Sequence, residues 1–590
     1  MSRTAFRLTS SILLAAGVAM PATSFAQSNT TAEYFKARIS QTAVPAVLSE
    51  ADRRFYSEVF RAIERQDWEK VDSLFLERPT GPLHQVAKAE YYTDANSPKV
   101  SAEQVAAWFD EGTLLPQAEQ LGRLGAKRGL ENIPPLPTER SFKRQPYSSK
   151  RILPRTVEDG TMPSSVRTQI LDHIKNDDPD GARLLLDGID ASLSPEARAE
   201  WRQRVAWSYY IENQDAASLA MAQRVGEGSG DWVAEGDWVA GLAAWRLGDC
   251  NIAADSFARS AAGARNPELR SAGHFWAGRA FTRCRRPADA DRHLKAAAQF
   301  DETLYGMLAY EQLGIDLPTE MASADFSQDD WQKLRDEPNV RVAVALNEIG
   351  RSGLADEVLR HQARIGDPNE YDALSRLARE LGMPQTQLWM AHNAPYGAKA
   401  EPALRYPTAK WIPSDGWKVD PALAFAHALQ ESNFQTRAVS PANARGLMQI
   451  TPITVRQHAG RLDMNASYVN LNDPQVNLAF GQRNLEMLRD NPGTQGLLPK
   501  IMAAYNAGLT PVTRWNNEVR DQGDPLLYME SIPYWETRGY VAIVMRNYWM
   551  YERQAGAKSP SRQALAQGIW PLFPDLNGKR VAGGSDVNRP

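Results

Sequence analysis

The stretch Pro421–Phe434, PALAFAHALQESNF, is apolar at almost every position and carries one carboxylate, Glu431. Asp420 ahead of it suits an N-cap, Pro421 suits the first helical position, and the Ala and Leu that follow are strong helix formers. A helix apolar on nearly every face is buried inside a domain, so Glu431 is expected where water is scarce. Desolvation raises a carboxyl pKa, and a place near the negative end of the helix adds to it. A carboxyl held protonated near neutral pH can act as a general acid. The competing reading of this helix alone is a Glu at a helix end that points into solvent.

Working outward, Ala394–Asp420 holds Pro395, Gly397, Pro402, Pro407 and Pro413 and reads as a break. It divides the chain into a helical array over residues 27–390, a linker and hinge over 391–420, a final domain over 421–570 and a polar tail over 571–590. The array keeps producing one unit, an apolar-periodic helix, a short polar turn and a second such helix. Examples are Phe55–Phe75 turning at Arg65–Asp67, Ile170–Leu186 turning at Asn176–Pro179, and Val342–Leu359 turning at Gly350–Gly353. Gly241, Ala244 and Phe257 of one unit align with Gly278, Ala280 or Phe281, and Leu294 of the next, at a spacing of roughly 37 residues that suits helix-hairpin repeats. Such hairpins bury their apolar faces by stacking, which predicts an α-solenoid with a concave surface, one that could close into a ring or stay open. The fold class expected is all-α dominated, a solenoid followed by a linker and a smaller domain. One segment interrupts the helices: residues 133–155 are proline-rich and basic, with Arg140, Lys143, Arg144, Lys150, Arg151 and Arg155, and should be extended. Its basic side chains could attract acidic groups on a polymer, or simply solvate a connector.

Residues 1–26 carry Arg3 and Arg7, an apolar run from Ser11 to Met20 and a small-residue site ending at Ala26, the pattern of a cleavable secretory signal. The apolar run is too short to span a bilayer and no comparable run of about 18 residues follows. An exported protein is expected, and in a bacterium a periplasmic one. A net charge of −4 gives no footprint for nucleic acid. The two cysteines, Cys250 and Cys284, rule out a disulfide scaffold and a Cys-rich metal site, and leave open a single bridge or two buried thiols.

The final domain contains four separated clusters: Gln430–Phe434, Ala438–Gln449, Ala504–Gly508 and Ser531–Val541. Gly446 permits a tight turn, and Gln449 offers donor and acceptor to an amide-bearing ligand. Thr451 and Pro452 restart a helix as N-cap and first residue. Tyr505 and Asn506 end an apolar helix from Leu497 that Gly508 can terminate. A tyrosine there suits a sugar face, or is a core residue with a satisfied hydroxyl. Glu536 and Arg538 share a helical stretch and could form an exposed ion-pair face.

Together, in order and spacing, the four clusters resemble soluble lytic murein transglycosylases, the large periplasmic kind with a lysozyme-like α+β catalytic domain. The array, linker and signal peptide agree with that family's layout. The resemblance implies that Glu431 is the catalytic acid and base, and that Ser440, Met448, Gln449, Tyr505, Asn506, Glu536 and Tyr540 line the glycan groove or hold the acid in place. It implies peptidoglycan strands as substrate, cleaved between N-acetylmuramic acid and N-acetylglucosamine with formation of a 1,6-anhydro ring. Many members have a second Met where this chain has Thr451, a departure that touches substrate fit. Two rivals stand beside it: a hydrolytic muramidase of the same fold, for which Glu536 is the candidate second acid, and a helical scaffold with a spent catalytic domain. The array also offers a surface for protein partners. No phosphate loop, zinc helix, nucleophile elbow or calcium loop is present, and His427 and His458 default to structural roles. The proposed reaction needs no cofactor and no metal.

Overall fold

The computed structural model describes residues 30–574 and 576, apart from 41, 319–324 and 399. The signal expected over residues 1–26 and most of the expected tail lie outside the described residues.

Helical hairpins dominate, and their turns share one device. Each passes through a single residue in the left-handed region: Gln66, Asp177, Asn213, Gly248, Arg285, Gly350 and Gly382. After three of these turns the next helix starts on an aspartate cap, Asp67 for Trp68–Glu77, Asp178 for Pro179–Asp187 and Asp249 for Cys250–Gly263. The repeat at 37 residues has a packing cause. A Cβ on Gly241 would lie 2.5 Å from the Phe257 ring, and one on Gly278 would lie 3.0 Å from Leu294, so in both hairpins a glycine lets a large side chain of the partner helix seat against the backbone. These hairpins, Trp232–Leu247 with Cys250–Gly263 and Pro267–Arg283 with Pro287–Ala298, are joined by a disulfide between Cys250 and Cys284, whose Cα atoms are 5.5 Å apart. The pairing left open by the sequence is thus made, and closing a loop of this length restricts the unfolded chain by roughly 3–4 kcal/mol.

The array closes on itself. Tyr56, Val59 and Trp108 from its beginning share a core with Val340, Leu346, Val358 and Leu377 from its end. Arg53 pairs with Glu348 at 2.9 Å, and the Asn339 amide donates to the Leu114 carbonyl at 2.8 Å. A second, larger core joins the middle hairpins, including Trp201, Trp238, Trp276 and Leu308, to the C-terminal helices Pro421–Ser432 and Trp535–Gln554. Polar contacts reinforce it: Arg279 pairs with Asp524 at 2.6 Å, and Arg246 donates to the Ser531 hydroxyl at 2.9 Å.

The basic stretch is extended, as its prolines require. Phe142–Arg144 pairs antiparallel with Asn393–Pro395, with Phe142 opposite Pro395 and Arg144 opposite Asn393. Further on, Arg151 bonds to buried Glu235 at 2.6 Å, so part of its charge is neutralised inside the protein. The segment expected as a hinge is also packed. Tyr406 is fully buried with its hydroxyl on Glu302, and Tyr551 donates to the Pro407 carbonyl at 2.7 Å. In the final domain, β structure among the described residues amounts to isolated bridges, Val439 with Arg445, Arg445 with Ile450 and Leu497 with Leu572. No helix among the described residues is long and apolar enough to cross a membrane.

Candidate active site

The helix Pro421–Ser432 forms as its sequence dictates, with the Asp420 side chain accepting from the Ala422 amide at 2.9 Å. Every residue from Pro421 to Leu429 is buried. Asn433 and Phe434 both adopt positive φ, 52° and 61°, which ends the helix sharply one residue beyond the acid. Glu431 is therefore the last residue but one, half-buried where the helix reaches the surface of the core. Burial raises its pKa to about 7; the Tyr540 hydrogen bond pulls it down, and the charge of Glu536 pushes it up again.

Tyr540 is buried on the long helix Trp535–Gln554, and its hydroxyl donates to Glu431 Oε1 at 2.7 Å. The same hydroxyl lies 2.7 Å from His427 Nδ1, one helical turn before Glu431 on the acid's own face. The Tyr505 ring stands 4.6 Å from His427 and stacks parallel to Tyr540 at 6.5 Å, its hydroxyl donating to the Met448 carbonyl at 2.8 Å. Burial pushes the phenols of Tyr505 and Tyr540 up, so both remain proton donors.

The loop 435–450 is the third wall. Ser432 Oγ donates to the Leu447 carbonyl at 2.7 Å, tying the loop to the acid helix. Ser440 closes a tight turn, its hydroxyl accepting from the Ala444 amide at 3.1 Å. Gln449, at φ 49°, donates its side-chain amide to the Gly446 carbonyl at 3.0 Å. Met448 is fully buried with its thioether over Gly481, so it meets the site through its main-chain carbonyl, not its side chain. Asn506 accepts from the Thr537 hydroxyl at 2.7 Å, which pins the Tyr505 helix to the Tyr540 helix. Glu536 is exposed one turn before Tyr540, whereas Arg538 turns inward and stacks 4.0 Å over Trp207. The two do not form the surface ion pair that their spacing allowed.

Sequence reasoning set His427 aside and left Asn477 unnamed. Asn477 is fully buried, donates to the Arg445 and Leu471 carbonyls and accepts from the Met448 amide at 2.9 Å. A buried Asn on an otherwise apolar helix face was the available signal. A cavity of about 1420 Å³ lies beside the acid helix, lined by Leu429, Gln430 and Asn433 together with Lys150 and Trp389 of the array and His392 of the linker; Glu431 itself is not in its lining. Among the described residues no group of three or more His, Cys, Asp or Glu is arranged to hold a metal.

Fold and site define a closed helical array carrying a small, lysozyme-like helical domain with a desolvated acid, Glu431, at the end of its first helix. Residues 412–527 match the model of the Transglycosylase SLT domain. The chain is 33% identical over 166 residues to a soluble lytic murein transglycosylase of Escherichia coli, covering 28% of this chain and 24% of that one. Alignments to the curated relatives span 22–36% of those proteins' own length. In three dimensions the likeness is longer. The 70-kDa soluble lytic transglycosylase of Escherichia coli superposes with a TM-score of 0.51 at 16% identity, covering 88% of this chain and 99% of that one. A 70-kDa soluble lytic transglycosylase in complex with bulgecin A gives a TM-score of 0.55 at 18% identity, covering 89% and 100%. The fold is shared across nearly the whole chain, including the helical array.

Proposed function

We propose that this chain is a lytic transglycosylase that cleaves the β-1,4 bond between N-acetylmuramic acid and N-acetylglucosamine in peptidoglycan. The observation that carries this reading is the desolvated carboxyl of Glu431, hydrogen-bonded by one phenol, with the exposed Glu536 as the other carboxylate that acts on it. Hydrolytic glycosidases ordinarily use two flanking carboxylates. Here Glu431 gives its proton to the glycosidic oxygen as the bond breaks, while the substrate's N-acetyl group stabilises the cationic carbon. The carboxylate so formed takes the proton of the muramoyl C6 hydroxyl, whose oxygen closes the 1,6-anhydro ring. Proton bookkeeping closes on Glu431 alone, and no water is consumed.

Tyr540 orients the acid, Tyr505 and Gln449 present a ring face and an amide to the sugars, and Ser440, Met448 and Asn506 keep these groups in place. Glu536 supplies a field that keeps Glu431 protonated; its exposure argues against a role as nucleophile. This reading uses the division at about residue 420 and places the protein in the periplasm, which agrees with the leader-like first 26 residues and with a disulfide.

Mass analysis of murein digestion products in ¹⁸O water tests the reaction. Anhydro-muramoyl ends free of label are expected; labelled reducing ends mean a hydrolase, and intact murein means a scaffold. The pH profile gives a second test. Because the protonated acid starts the reaction, kcat/KM should fall above pH about 7. The Tyr540 hydrogen bond favours the carboxylate, so Tyr540→Phe raises the Glu431 pKa and should move that alkaline limb to higher pH while lowering the rate. A limb that stays in place in the variant would separate Tyr540 from the acid.

A further inference from the structure

We infer that His427 is a positioning residue that fixes on which oxygen Glu431 carries its proton. The inference rests on the reading of Glu431 as the acid, and it starts from a chain of two contacts: His427 Nδ1 to the Tyr540 hydroxyl and that hydroxyl to Glu431 Oε1, each 2.7 Å. A phenol has one proton to give. When Tyr540 gives it to Glu431, the Nδ1 contact is a hydrogen bond only if the imidazole donates, which requires the proton on Nδ1. The opposite tautomer reverses the chain: Tyr540 would donate to Nδ1, and Glu431 would have to donate to Tyr540.

The two directions differ in what they leave for a substrate. With Nδ1 protonated, Oε1 is an acceptor whether or not Glu431 is ionised, so the acid proton resides on Oε2, which makes no hydrogen bond to the protein among the described residues. With the reverse tautomer the acid proton is spent inside the protein on Tyr540. The surroundings favour the first. His427 Nε2 is buried and has no hydrogen-bond partner, so a proton there would be an orphaned donor, whereas on Nδ1 it has an acceptor. Burial also holds the ring neutral, with its pKa pushed down to about 3, so the ring carries a single proton through the working range. The titratable groups around Glu431 are Tyr540, Tyr505, His427 and Glu536, and of the buried ones His427 alone has a choice of tautomer.

The test compares three variants of the full chain on murein, beside Glu431→Gln. Asn places its side-chain amide donor near the position of Nδ1, Gln near that of Nε2, and Leu supplies none. His427→Asn is expected to keep most of wild-type kcat. His427→Gln and His427→Leu should lose about tenfold, the scale of one hydrogen bond, with KM within about twofold and the alkaline limb moved upward. In a Tyr540→Phe background His427→Leu should cost nothing further, because its effect passes through the phenol. Equal activity of all three variants, or an undiminished loss in the Tyr540→Phe background, overturns the assignment. Neutron diffraction from wild-type crystals decides it even if His427→Leu does not fold: deuterium on Nδ1 is expected, and deuterium on Nε2 overturns it. A Glu431→Gln protein that cleaves normally overturns the parent reading as well, whereas an inactive Glu431→Gln beside an unaffected His427→Leu overturns this inference alone.

Discussion

Purified Glu431→Gln is expected to release muropeptides roughly 10²–10⁴ times more slowly than the wild type, the range that a positioned proton donor and acceptor contributes. The amide has the shape of the acid and keeps an oxygen for the Tyr540 hydroxyl, so the fold and the groove should survive. What it loses is the proton to give and the basicity to take one back, both of which the reaction needs. Sedimentation with intact murein should show binding near the wild-type level. A variant that binds and still cleaves normally would remove Glu431 from the chemistry. Stability gives an independent check with a fixed sign. Glu431 has its folded-state pKa raised from 4.5 to about 7, so as pH climbs through that interval the unfolded chain ionises first and the fold loses stability. Gln removes the titration, and the gap in Tm between variant and wild type should widen in the variant's favour from pH 5 to pH 8.

The second large effect is expected at Gly446. Its φ of 76° already disfavours a side chain, and a Cβ there would lie 2.2 Å from the Asn477 amide nitrogen and 2.3 Å from the Leu471 carbonyl. The left-handed backbone costs an alanine about 1–2 kcal/mol. Displacing Asn477, which satisfies two carbonyls and the Met448 amide, leaves buried polar groups unpaired at about 1–3 kcal/mol each. Gly446→Ala should therefore destabilise the domain by more than about 3 kcal/mol, read as an earlier denaturation midpoint. Activity should fall with it, since Tyr505 hangs on the Met448 carbonyl and Gln449 on the Gly446 carbonyl. Gly508→Ala is the control: its φ is 87° but nothing lies within 4 Å of the added carbon. If both variants lose equally little, the loop is not the support described here.

Local chemistry was legible in advance. Asp420, Pro421 and the apolar run specify the acid helix, Asp67 and Asp178 mark hairpin starts, and the Gly241 and Gly278 spacing exposes the repeat because one steric need recurs. Contacts between distant segments were not. The period of Pro421–Ser432 puts His427 and Glu431 on one face, but nothing local says that Tyr540 stands across from both. The motif gives Met448 its identity, not its direction; the fit of its sulfur over Gly481 depends on the separate helix Pro474–Asp490. The prolines of 391–420 signal an absence of helix, and the packing of Tyr406 and Pro407 shows that such a segment can be well anchored. The buried acid was inferred from composition, yet its pKa is set by Tyr540 and Glu536 as well, both from the last sequence cluster.

The first described helix, Thr31–Ser40, bears on the order in which the molecule can be assembled. Phe35 packs edge-on against Phe425 and Tyr551, and the Thr31 hydroxyl reaches the Asp420 carboxylate at 2.7 Å. This helix has no seat until residues 389 positions further along the chain have been made. The dry pocket around the acid is thus a late product of biosynthesis, and a nascent or truncated chain lacks the surroundings that would make it reactive.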